Sequence, residues 1–173
     1  MMVLLKRLGL VLVLALSPAL TAHADASDTR AVMVPESGTY SRTVSTQSPE
    51  AQKFFDQGLR LAWGFYFPES IASYQQASLC DPEHPMPYWG IAHAAGPNPN
   101  SRYAQMPDDP QGAGLAAIQS ALARIDRATP MEAELIRAVH IFYDADRIPD
   151  PKARDQAYLA QMRALNAKFP DDP

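Results

Sequence analysis

The sequence of 173 residues has a single cysteine and only 8 glycines. One cysteine excludes an internal disulfide framework and any zinc or iron–sulfur site built from several thiolates. Cations are also scarce: 15 Lys and Arg stand against 19 Asp and Glu, a formal net charge of −4. This balance argues against general binding to nucleic acid, which needs many cations opposite the phosphates. The remaining composition, 47% hydrophobic, is typical of one globular domain or a short repeat array.

The N-terminal segment 1–24 has the pattern of an export signal. Lys6 and Arg7 precede an uncharged apolar run at positions 8–16, and the run is followed by the small-x-small sequence at positions 22–24. The run is too short to cross a bilayer, and no later stretch is long and apolar enough to do so. We therefore predict a signal peptide, 1–24, that is cleaved after Ala24 and directs the protein to the periplasm or outside the cell.

Proline marks the starts of helices in the mature chain. The stretch 25–47 shows no periodicity and is predicted to form an extended, weakly ordered lead-in. From residue 48 onward, four pairs of an N-cap residue and a following proline stand before apolar residues at helical spacing, a pattern typical of helix N-termini. The four pairs are Ser48-Pro49, Asp109-Pro110, Thr129-Pro130 and Asp150-Pro151. Glu132 also completes a capping box with Thr129.

Apolar residues recur at steps of three or four after each start, and no alternating strand pattern is present. The sequence therefore predicts an all-α fold of about six helices that pair as antiparallel hairpins over residues 48–173. An aromatic run, Trp63 with residues 65–67, falls at the first turn between helices. We expect most of this run to enter the core and at least one ring to stay exposed.

The first hairpin resembles a tetratricopeptide repeat, whose unit consists of two antiparallel helices. The matching positions, which we expect to pack the repeat, are Phe54, Gly58, Ser70, Tyr74, Ala77 and Pro82. The next unit begins at the spacing that the repeat predicts, since Tyr88 and Ala92 stand one repeat length after Phe54 and Gly58. Three residues differ from those usual at their positions in the pattern: Gln57, Leu61 and Ser70. The resemblance implies three units (48–82, 83–128 and 129–173), and the chain is similar to exported bacterial tetratricopeptide proteins of unassigned activity.

The resemblance further implies a binding module whose concave groove, lined by the first helix of each unit, takes a protein or peptide partner. Helical position selects the candidate groove residues, and no cofactor, nucleic acid or membrane span in the mature chain is expected. These residues are Lys53, Gln57, Arg60, Tyr88, His93, Arg137 and His140. The cations among them, Lys53, Arg60 and Arg137, would suit an acidic peptide.

Other hypotheses stay open. Cys80, His84 and His93 lie close together in sequence and could bind a metal, although the spacing matches no closed zinc motif. His140 and Asp144 share a helix face and could form an oriented base, but no known catalytic motif is present. The chain could also be the N-terminal structural segment of a larger protein or enzyme, truncated at its C-terminus. The segment from residue 96 to 109, rich in Pro and Gly, is either a recognition loop or a tolerated insertion.

Overall fold

The computed structural model describes residues 30–96 and 109–172. Within these ranges the chain is all-α, with six helices and no β-strand, as the sequence predicts. The helices are α1 (Pro49–Trp63), α2 (Phe67–Cys80), α3 (Met86–Ala95), α4 (Pro110–Leu122), α5 (Pro130–Tyr143) and α6 (Pro151–Lys168). A 3₁₀ turn, Ile125–Arg127, precedes α5.

The capping residues begin the four helices for which they were predicted. The side chain of Ser48 accepts a hydrogen bond from Ala51 N at 3.1 Å, and the equivalent bonds form at α4 and α6. Thr129 and Glu132 form the complete capping box at α5. In each case the first helical residue is a proline, which lacks the N–H that would otherwise need a partner. The predicted helix starts are therefore confirmed.

Consecutive helices pack against each other. In the first pair, Gln57 Nε2 donates to Ser73 Oγ and Ser70 Oγ donates to the Gly58 carbonyl, so later residues of α1 meet earlier residues of α2. This order, together with a turn of only three residues, makes α1 and α2 an antiparallel hairpin. Contacts also join α1 to α3 and α3 to α5, so α1, α3 and α5 form a row.

A tyrosine ring sets the distance between the first hairpin and α3. Tyr74 is fully buried, and a Cβ at Gly58 or Gly90 would lie only 2.6 or 2.5 Å from its ring atoms. Two glycines on two helices therefore form the walls of one pocket for the ring. The other positions assigned to repeat packing are also buried, with the exception of exposed Pro82; they are Phe54, Ser70, Ala77 and Ala92.

A second tyrosine plays the same part further along the chain. A Cβ at Gly96 or Gly114 would overlap the Tyr143 hydroxyl, so the ring of this α5 residue fits against both glycines. Its hydroxyl also donates to the Ala92 carbonyl at 2.7 Å. Tyr143 therefore joins α5 to α3 and α4 through packing and through one buried hydrogen bond.

The aromatic run at the first turn is placed differently from the prediction that most of it is core. Trp63, Phe65 and Tyr66 are 73%, 57% and 61% exposed, and only Phe67 enters the core. The reason is the reversal of the chain: Trp63 is the last residue of α1, and Phe65 and Tyr66 lie in the turn to α2, where Phe65 adopts a left-handed backbone with φ 64°.

Two predicted regions lie outside the described residues, namely the signal peptide at 1–24 and the loop at 97–108. In the parts that are described, no helix combines the length and the apolar character that crossing a membrane requires.

Candidate functional site

The most extensive polar contacts in the described chain are made by the residues that precede α1. We call residues 30–47 the lead-in segment. It has no helix or strand, but it hydrogen-bonds to α1, α2 and α5 and to the turn before α3. The sequence predicts weak order for this stretch, whereas the structure fixes it against the helices along much of its length.

Gln57 of α1 binds the backbone of the lead-in segment with both ends of its amide. Its Oε1 accepts from Val34 N at 2.7 Å, and its Nε2 donates to the Val32 carbonyl at 3.0 Å. The second Nε2 hydrogen goes to Ser73 Oγ on α2, and the side chain is 1% exposed. Gln57 thus recognises an extended backbone through the carbonyl of one residue and the N–H two residues later.

Gln52 repeats this arrangement about one and a half helical turns earlier. Its Nε2 donates to the Arg42 carbonyl at 2.9 Å, and its Oε1 accepts from Val44 N at 3.0 Å. Here too the second Nε2 hydrogen has a partner within the helices, Asp56 Oδ1 at 2.9 Å. Gln52 and Gln57 of α1 therefore hold the lead-in segment in the same way, each through one backbone carbonyl and the N–H two residues later.

Charged residues of α1 add to these contacts. Asp56 accepts from Arg42 N at 3.0 Å and from Ser41 Oγ at 2.7 Å. Arg60 donates to the Tyr40 carbonyl at 2.8 Å and to Ser37 Oγ at 3.3 Å. All of these partners are backbone groups or hydroxyls, so this face of α1 is suited to an extended polar peptide.

The lead-in segment reaches α5 through Ser45. Glu132, which is 2% exposed, accepts from Ser45 N, Ser45 Oγ and Thr129 N at 2.6 to 2.8 Å. Burial alone would raise the pKa of this carboxyl, but the hydrogen bonds from Ser45 and Thr129 outweigh it and lower the pKa. Glu132 is therefore an ionised acceptor at neutral pH.

His84 joins the same group, in an arrangement that differs from a catalytic triad. The N–H of Met86 donates to His84 Nδ1 at 3.4 Å, so the proton of the neutral ring lies on Nε2 and points to Ser45 Oγ, 3.0 Å away. Burial keeps the ring neutral by lowering the pKa of His84, against the opposite effect of Glu132 and Asp81. Ser45 then donates its own proton to Glu132. A nucleophilic serine would instead donate to the histidine, so this cluster tethers the segment.

Three further residues add to the interface. Thr46 Oγ1 donates to Asp81 at the end of α2, and Arg42 Nη2 lies 2.6 Å from Asp172 Oδ2 near the end of the described chain. Val44 is the buried apolar residue of the lead-in segment, at 5% exposure. The segment therefore connects the first hairpin to the last, mainly through polar groups.

The structure divides the predicted groove residues into two sets. Gln57 and Arg60 contact the lead-in segment, as described. The others make their contacts elsewhere: exposed Lys53 lies 3.5 Å from Glu50, and exposed Arg137 lies 3.8 Å from Glu134.

The aromatic groove candidates contact neighbouring side chains and turns. The Tyr88 hydroxyl donates to the Pro82 carbonyl at 3.0 Å, and the Arg124 guanidinium lies 4.6 Å from the centre of its ring. His93 is stacked on Trp89 with ring centres 5.0 Å apart. Burial lowers the pKa of His93 to about 4, so the ring is neutral at pH 7.

The metal hypothesis receives no support from the arrangement of side chains. Across residues 30–96 and 109–172, no three His, Cys, Asp or Glu residues come close enough to hold an ion. His84 is committed to Ser45 and Met86, and burial raises the pKa of the Cys80 thiol, which disfavours the thiolate that metals bind. Partly buried His140 is not hydrogen-bonded to Asp144, which instead pairs with Arg147 at 3.6 Å.

Sequence reasoning missed four residues of this site: Ser45, Gln52, Asp56 and Glu132. The sequence indicates Glu132 only as a helix cap, and it predicts an open groove on the face of α1. A signal was nevertheless present, since buried polar positions such as Asp56 and Gln57 on an amphipathic helix require partners outside that helix.

Comparison with known proteins adds no identity to this geometry: no protein-family model, no curated protein and no solved structure matches the chain.

Proposed function

We propose that the protein is an exported, tetratricopeptide-type interaction module that binds a peptide or protein partner in the concave groove lined by α1, α3 and α5. The contacts that join these three helices in a row support this arrangement. So does the close packing at Gly58 and Tyr74, two positions of the repeat pattern. A row of helices that presents polar side chains is well suited to docking a peptide.

The observation that carries the proposal is the pair of glutamine contacts on α1. Gln52 and Gln57 each hold a carbonyl and the N–H two residues along an extended backbone. Because these groups occur in every peptide, the same face can bind an extended segment of another protein. Affinity then comes from backbone hydrogen bonds and specificity from neighbouring side chains.

The charges around this face indicate the character of the partner. Asp56, Asp81, Glu132 and Asp172 all accept from hydroxyls or from Arg42 of the lead-in segment. Lys53 and Arg137 are each close to a glutamate of their own helix. We therefore favour a partner rich in hydroxyl and basic side chains over the acidic peptide that the cations alone suggest.

A crosslinking experiment tests the proposal. A displayed peptide library is selected on the full chain and on an Arg42→Ala/Ser45→Ala variant, in which the lead-in segment has lost the side-chain contacts of Arg42 and Ser45. Enriched peptides carrying a photoreactive benzophenone should crosslink to α1, α3 and α5. Peptides of the same composition in scrambled order provide the control. The proposal would be contradicted if neither chain enriched any peptide, or if the crosslinks were confined to α2, α4 and α6.

A second proposal, that the chain is a structural segment of a larger protein, is favoured by α6. This helix of 18 residues has Leu165 as its buried residue, and its Leu159 is 48% exposed. An outer helix with so little buried surface is suited to packing against a further element. Reading the coding sequence beyond the codon for Pro173 tests this directly: an immediate stop codon would contradict it.

A further inference from the structure

We propose that the lead-in segment is an internal ligand that occupies the partner site on α1, so that the partner binds by displacing it. This inference rests on the proposed function, because it assumes that a partner uses the α1 face. It also states the chemistry of that partner, which is an extended segment with one basic residue and hydroxyl residues on both sides of it. In the lead-in segment these are Arg42, with Ser41 before it and Ser45 and Thr46 after it.

The first argument is that recognition of the segment is largely independent of its sequence. Gln52, Gln57 and Arg60 contact its backbone, and Asp56 accepts from the backbone of Arg42. A competing chain in the same extended conformation can form each of these bonds without change.

The second argument is that the segment is held with little apolar burial. Val44 is buried, whereas Val32, Met33, Val34 and Tyr40 are 73%, 41%, 43% and 37% exposed. The hydrogen bonds between neutral groups that hold the segment exchange with water bonds when it detaches, so each of them contributes little net stability. Regions with few buried apolar contacts open before the rest of a protein unfolds.

The third argument is that three buried polar residues of the site, Gln57, Asp56 and Glu132, each keep a hydrogen-bond partner when the segment leaves. Gln57 keeps its bond to Ser73, Asp56 keeps its bond from Gln52, and Glu132 keeps its bond from Thr129. Each of these buried polar residues therefore has a partner within the helical part of the chain. The site is preformed and does not depend on its internal ligand for its shape.

Peptide binding in trans tests the inference. A fluorescently labelled peptide with the sequence of residues 30–47 is titrated against the full chain and its variants, and anisotropy is recorded. We expect the Arg42→Ala/Ser45→Ala chain to bind at least about tenfold tighter than the unchanged chain, because its own segment competes less well. Thr43→Ala/Gln47→Ala, which alters two exposed segment residues, should bind like the unchanged chain. Equal affinity for all three chains would overturn the inference.

Hydrogen exchange on the unchanged chain gives an answer that does not depend on how the variants fold. The amides of Val34, Arg42, Val44 and Ser45 donate to groove side chains. We expect them to exchange at least about tenfold faster than the interior amides of α1 and α3, since the segment opens on its own. Exchange at the same rate as those helices would show that the segment is an inseparable part of the fold.

Two further results distinguish a failure of this inference from a failure of the proposed function. Peptides that crosslink to the groove, together with equal trans binding by all variants, would leave the proposed function standing and overturn the internal ligand. Conversely, tighter trans binding by the Arg42→Ala/Ser45→Ala chain with no enriched library peptide would support the internal ligand and contradict the wider binding role.

Sedimentation at the assay concentration should show a monomer. A dimer that requires Arg42 and Ser45 would overturn occupancy within one chain.

Discussion

Two regions in contact with α1 stabilise it by different means. At Tyr74, one ring fills a pocket whose walls are Gly58 and Gly90, and tight apolar packing dominates. Along the lead-in segment, hydrogen bonds dominate and Val44 supplies the buried apolar side chain. The comparison teaches that a close-packed contact cannot be removed without unfolding the helices around it, whereas a polar contact of this kind can exchange with water or with another chain.

The largest effect is expected at the ring pocket. A Cβ at Gly90 would lie 2.5 Å from the buried Tyr74 ring, which is fixed by its neighbours and cannot move aside. Gly90→Ala should therefore lower the free energy of unfolding by about 3 kcal/mol, although alanine is the better helix former. Urea titration followed by circular dichroism measures this.

Gly64→Ala is the matched control, because Gly64 is exposed and its Cβ would meet Tyr66 at 3.1 Å with an ordinary φ of −81°. It should change stability by less than about 0.5 kcal/mol. Equal losses in the two variants would show that the ring pocket is not tight.

A smaller effect is expected at Glu132, the most buried charge of the segment interface. Glu132→Gln replaces an acceptor of three hydrogen bonds by a group that is partly a donor, so stability at pH 7 should fall by about 2 kcal/mol. Because the folded pKa is lowered, the contribution of Glu132 is fully present above its unfolded pKa of about 4.3 and is lost as pH falls through the folded value.

The difference in stability between the two chains should therefore narrow below about pH 4, when the wild-type carboxyl also becomes protonated. Glu83→Gln, at an exposed position, should change little at any pH. A difference that stays constant from about pH 7 to about pH 3 would contradict the assigned role of the charge.

The two tyrosines offer a comparison within the packed region. The Tyr143 hydroxyl donates to Ala92, whereas the buried Tyr74 hydroxyl has no hydrogen-bond partner in the described chain. Burial raises the pKa of both phenols well above the ordinary value, for Tyr74 against a smaller lowering by the neighbouring Ser70 hydroxyl.

Tyr143→Phe should lower stability by about 1 kcal/mol, while Tyr74→Phe should leave it unchanged or raise it. Thermal unfolding of the two variants side by side measures the contrast. Equal effects would mean that the Tyr143 hydrogen bond adds nothing to the packing of its ring.

The smallest effect is expected from the cations. The side chains of Arg42 and Asp172 are 11% and 17% exposed, and Arg42→Ala should cost about 0.5 to 1 kcal/mol. Lys53→Ala, which removes a pair exposed to 63% and 54%, should have no measurable effect. If Lys53→Ala cost as much as Arg42→Ala, the segment would not be held by a sheltered ion pair.

The helices and their close-packed contacts could be predicted from the sequence better than the polar contacts of the lead-in segment. Helix starts could be predicted because a cap and a proline are adjacent in sequence, and their effect is local. The packing of Gly58 against Tyr74 could be anticipated from the repeat pattern. The exposure of the aromatic run could not be predicted, because the left-handed backbone at Phe65 carries no signal in a residue that seldom adopts it.

The candidate site was harder to predict, because its contacts join distant residues without any periodic pattern. Ser45 and Glu132 are 87 positions apart, and nothing in either neighbourhood indicates the other. Gln57 was selected as a groove residue from its helical position, but the sequence did not reveal that the chain's own N-terminal stretch lies against it. Polar tethers of this kind depend on the finished fold.

The shared rings have a consequence for how the molecule melts. Tyr74 belongs to α2 yet rests on α1 and α3, and Tyr143 belongs to α5 yet rests against Gly96 at the end of α3 and against α4. Loss of α3 and α4 would leave Tyr74 without the wall at Gly90 and Tyr143 without the walls at Gly96 and Gly114, and loss of α2 or α5 would remove a ring that fills these pockets. Heating should therefore unfold the helices cooperatively in a single step, because neighbouring helix pairs are coupled through common side chains and do not unfold independently.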